Sequence, residues 1–142
     1  MISPTMVGDS FRLGYRFQRH WDVAMASALF FGELGAGLFV VAMLYPSWPG
    51  LVLGLLVTGI GKPLFHLTHM GVPKKSWRAI LRPDRSWTSR GLIGIVVFSG
   101  AGVLYAGGLA TGGLVPLGEV WRVVAFVAAL VVMTYQGFAM SH

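Results

Sequence analysis

Four long apolar stretches constrain this chain more than anything else in its sequence. They run Val23 to Tyr45, Leu51 to Met70, Gly91 to Ala110 and Val123 to His142. A helix needs about 20 apolar residues to cross the hydrocarbon of a bilayer. A backbone in lipid must satisfy its own hydrogen bonds, and the alternation of a β-barrel is absent, so these stretches read as helices. The second is the most interrupted. Its unbroken apolar part, Leu51 to Gly61, is 11 residues, and Lys62, Pro63, His66 and His69 follow. A hairpin partner for the first helix still requires a full span there. Of the 142 residues, 55% are hydrophobic and 11% charged, against about 25% charged in soluble domains. Such a chain is neither disordered nor an ordinary soluble enzyme. The expected fold is an all-α membrane protein with four transmembrane helices: an N-terminal segment over 1–22, then a four-helix domain over 23–142.

The connectors set the expected orientation. Residues 71–90 hold Lys74, Lys75, Arg78, Arg82, Arg85 and Arg90 against Asp84, a local charge of +5. Arg12, Arg16 and Arg19 precede the first span. Four spans put both ends and this basic loop on one side, and the positive-inside rule makes that side the cytoplasm. The opposite side carries Glu119 and Arg122 near the membrane. A prokaryotic cytoplasmic membrane is the expected location. The net charge of +6 then serves anionic lipid and topology, not nucleic acid. No small-residue cleavage motif follows the first apolar stretch, so that stretch is expected to be a retained helix. The turn Pro46-Ser47-Trp48-Pro49-Gly50 is tight, and Tyr45 and Trp48 suit the interface. The absence of cysteine excludes disulfides, thiolate-held zinc or iron–sulfur clusters, c-type haem and thiol nucleophiles.

A charge at the bilayer centre costs at least about 2.5–3.5 kcal/mol, so each one requires a reason. Glu33 lies 12 residues before Tyr45, and Lys62 lies 11 residues after Leu51. Both therefore sit about 17 Å from the same membrane face, at a depth where they are expected to pair. Gly32, Gly35 and Gly37 allow another helix to come close. One reading is an ion pair that locks the hairpin; the other is a proton-handling pair beneath a substrate pocket. Thr58, Lys62, His66 and His69 fall on one stripe of the second helix. Histidine titrates near neutral pH and can take the proton of a quinol hydroxyl. A rival reading makes the stripe part of a structural scaffold that packs on other helices. A b-type haem would need His20 or His142 opposite His66 or His69, because two histidines on one helix face cannot clamp both sides of one ring. Neither haem nor metal is expected in this chain.

The run from His69-Met70-Gly71-Val72-Pro73 through Trp77-Arg78-Ala79 and Pro83 to Ser86-Trp87-Thr88-Ser89-Arg90 resembles the NrfD-like family of polysulfide-reductase-type integral membrane subunits. Their pattern is approximately H-L-G-x-P, W-R-A, a proline and S-W-x-S-R. Phe31-Gly32-Glu33-Leu34-Gly35-Ala36-Gly37 resembles the family's first glycine-rich helix. The resemblance covers about two-thirds of the chain. It implies an anchor that exchanges electrons between the quinone/quinol pool (menaquinone or ubiquinone) and an iron–sulfur subunit. That subunit in turn serves a catalytic subunit, often of molybdopterin type. It places the quinol-linked histidine on His69 and the S-W-x-S-R positions on Ser86, Trp87, Ser89 and Arg90. His66, Arg78 and Arg90 would border the same pocket, with Glu33 and Lys62 handling charge. Members commonly have about eight helices, so four make half of such a bundle. Gly91 stands where the family often has Glu.

Overall fold

The computed structural model describes residues 23–69, 78, 81, 83, 84 and 87–140. The N-terminal segment, most of the basic loop, Ser86, His20 and His142 lie outside the described residues, as do the side chains of His69, Thr88, Phe138, Ala139 and Met140. Among the described residues the apolar stretches are helical, apart from Tyr45, which lies in a turn. Helix α1 is Val23–Leu44, α2 is Trp48–Leu56, a π turn occupies Val57–Gly61, α3 is Lys62–His69, α4 is Trp87–Ala110 and α5 is Gly118–Met140. Helix α2, the π turn and α3 form one continuous span, so among the described residues four helices are long and apolar enough to cross a membrane. The chain has the architecture of an integral membrane protein.

Three spans begin earlier than their apolar cores, for one physical reason. First helical turns welcome polar groups, because their N–H groups have no partner within the helix. Helix α2 starts at Trp48 because Ser47 caps it, accepting from Gly50 N at 3.4 Å, with proline in the first turn. Helix α4 takes in Trp87 and Arg90, and α5 takes in Glu119 and Arg122, which pair across one turn at 3.1 Å. Glu119 also sits favourably at the positive end of the α5 dipole.

The π turn has a local cause. Pro63 cannot donate to the carbonyl of Gly59, and in a regular α-helix its ring would collide with that carbonyl. A widened turn over Val57–Gly61 moves it aside.

Packing follows membrane rules: small residues inside, large aliphatics outside. The buried core is mostly alanine, with Phe39, Leu51, Ile95, Phe98 and Val132 as its larger members. Phe39 and Phe98 meet edge to face at 5.0 Å and join α1 to α4. Helix α1 crosses α2 in backbone contact. A Cβ on Gly54 would lie 2.7 Å from the carbonyl oxygen of Gly35 and 2.8 Å from Phe39 N. Trp48 donates its indole N–H to the Ala106 carbonyl at 3.2 Å, tying the first turn to the end of α4. Helix α5 completes the bundle against α4 and α1.

Candidate functional site

Lys62 is the first residue after the π turn and only 3% exposed. The space for its side chain comes from Gly32 on α1. A Cβ there would stand 2.7 Å from Lys62 Cδ, 2.8 Å from Nζ and 3.2 Å from Gln136 Nε2. The ammonium lies over the Tyr135 ring, 4.5 Å from its centroid, a cation–π contact strengthened by desolvation. The Tyr135 ring in turn lies flush on Gly91 of α4, where any side chain would collide with it. Gln136 is 2% exposed and donates its amide to the Leu29 carbonyl at 3.3 Å. Thr58, fully buried, donates to the Gly32 carbonyl at 3.4 Å. Three spans thus meet at one buried cation, and the fourth, through Gly91, backs the ring it sits on. Lys62 Nζ makes no hydrogen bond among the described residues.

The expected Glu33–Lys62 pair is not formed. The two residues lie at one level of the bundle, since Lys62 packs against Gly32, the neighbour of Glu33. Adjacent residues on a helix point about 100° apart, so when Gly32 faces Lys62, Glu33 faces outward. Glu33 is exposed, and the two form no ion pair among the described residues.

The stripe on the second span divides. Thr58 and Lys62 are buried, while His66, one turn on, is half-buried. Phe65 beside it stacks on Phe31 of α1 with centroids 5.2 Å apart. His69 is the last residue of α3.

Arg90, where the basic loop enters α4, has a structural task. Arg90 donates to the carbonyls of Pro83 at 2.7 Å and Asp84 at 3.3 Å, and its guanidinium stacks on Trp87 at 4.5 Å. These contacts fasten the loop to the start of α4. Ser89 is buried beside it, Trp87 half-buried and Arg78 exposed.

Tyr135 and Gln136 are absent from the sequence reading. A tyrosine and an amide carry no charge, so α5 passes as plain membrane helix. Gln136 nevertheless carried a signal: an amide deep in an apolar stretch must bond to something. Among the described residues no three of His, Asp or Glu are grouped to hold a metal ion. Compared with protein-family models, curated proteins and solved structures, the chain matches none.

Proposed function

We propose that this chain is the quinone/quinol-reactive membrane anchor of a multi-subunit oxidoreductase. It exchanges electrons with an iron–sulfur subunit that serves a catalytic subunit of molybdopterin type. The observation that carries this reading is the Lys62 ammonium, buried in a membrane span with no hydrogen bond among the described residues. A buried donor without a partner is rare and asks for a polar ligand. A quinone oxygen is an acceptor that lives in lipid, and a bond from an ammonium to it is charge-assisted. Bound quinol supplies two electrons and two protons.

The residues of the chain then have distinct tasks. Lys62 orients the head group and offsets negative charge on its oxygen. His66 and His69 lie beyond it on the same span and accept the hydroxyl protons toward the membrane edge. With no cysteine in the chain, the electrons pass directly from the bound quinol to the partner's cluster. The basic loop is proposed to face the cytoplasm of a prokaryotic cell.

The test is quinol-linked turnover of the assembled complex carrying His69→Ala or Lys62→Met. Assembly is expected to persist while turnover falls about 100-fold. Unchanged turnover in both variants overturns the proposal and leaves Lys62 as a structural cation seated on Tyr135. A reducible b-type Soret band belonging to this subunit would replace quinol by haem.

A further inference from the structure

Glu33 carries a second inference, independent of the quinol reading. It lies at the middle of α1, 10 residues from Val23 and 11 from Leu44. Its side chain is exposed on the outer face of the bundle. The large residues around it on that face are purely apolar: Phe30 is 60% exposed, Leu34 48%, Val41 52% and Leu44 66%. Glu33 forms no ion pair among the described residues, and Lys62 is buried behind Gly32.

A carboxyl group in this position has no acceptable solvent. Ionised, it would lie in hydrocarbon, and neutral, its O–H would find no acceptor there. Glutamate is too short to reach either membrane surface from mid-helix, roughly 15 Å away. The apolar surroundings exclude a water-soluble partner, and the negative charge selects the sign of the group that covers it. Gly37, one turn along, has room above it: a Cβ there would touch only the Met133 methyl, at 3.9 Å. A foreign helix can therefore approach α1 closely beside the carboxylate.

We infer that the Glu33 face of α1 is an intramembrane docking surface for a transmembrane helix of a different polypeptide, one that presents a lysine, arginine or histidine at mid-bilayer depth.

Photoreactive residues placed at Phe30 and at Leu34 test this in the native membranes of the source cell. After irradiation and digestion, the joined peptide is expected to be an apolar membrane segment with a basic residue within one helical turn of the joint. Glu33→Gln, nearly isosteric and harmless to insertion, should lower the cross-link yield severalfold. Glu33→Lys should lower it about tenfold or more, and exchanging the partner's basic residue for Glu should restore it. Adducts with lipid alone, with a second copy of this chain, or with a segment lacking a basic residue overturn the inference. So does a yield that Glu33→Gln leaves unchanged.

Discussion

Gly32 and Gly35 are neighbours on α1, yet substitution should harm them differently. At Gly32 the intruding methyl meets the flexible end of Lys62, at 2.7 Å from Cδ, which can shift. At Gly35 it meets backbone, 2.6 Å from Thr58 N and 2.8 Å from the Gly54 carbonyl oxygen, which cannot. Gly35→Ala is therefore expected to cost about 3 kcal/mol or more, and Gly32→Ala about 1 kcal/mol, as read by denaturant unfolding in micelles. Gly32→Ala should still depress quinol-linked turnover, because it displaces the ammonium. Lys62→Met should leave stability unchanged or raise it by about 1 kcal/mol, since an apolar side chain removes an unsatisfied buried charge. A loss of stability beyond the cation–π contribution of about 2 kcal/mol would show that Lys62 is chiefly structural. At this scale the sequence was half legible. The depths of Glu33 and Lys62 follow from counting residues, but which of Gly32 and Glu33 faces the lysine depends on helix rotation, which uniformly apolar neighbours leave open.

At the scale of elements, the π turn aims α3. Closing it to an α-helical turn without removing a residue would rotate α3 by about 100° relative to α2. Pro63→Ala removes the cause of the widening. A cysteine pair at Phe31 and Phe65, whose rings stack at 5.2 Å, should cross-link efficiently in the parent background and poorly with Pro63→Ala, at unchanged helix content. Efficient cross-linking in both would show that packing, not proline, holds the turn open. The four spans were legible because length and apolarity suffice to define them. Their first turns were not, because Arg90, Glu119 and Arg122 look like loop residues until capping and dipole effects are counted. The π turn was equally hidden, since Thr58, Lys62 and His66 share a face with or without it.

For the whole molecule, topology is the most accessible unknown. The chain has no cysteine, so single-cysteine reporters need no background removed. Thr111→Cys, in the connector between α4 and α5, is expected to react with an impermeant maleimide in intact cells. Arg78→Cys is expected to react only after permeabilisation. The reverse pattern would overturn the charge-based orientation. Fold class was fully legible at this scale, whereas partners were not: a lipid-facing residue and one that meets another membrane helix are equally apolar, and only an anomaly such as Glu33 distinguishes them.

An interior made largely of alanine, with glycine at its crossings, leaves little volume to remove. Shrinking substitutions open cavities in proportion to the atoms they delete, and Ala28, Ala36, Ala125 and Ala129, none of them exposed to any measurable extent, have almost none to give. Mutational tolerance should therefore be lopsided. At the alanine positions loss of a methyl passes with little effect, whereas an added carbon where backbones touch, as at Gly35 and Gly54, forces helices apart.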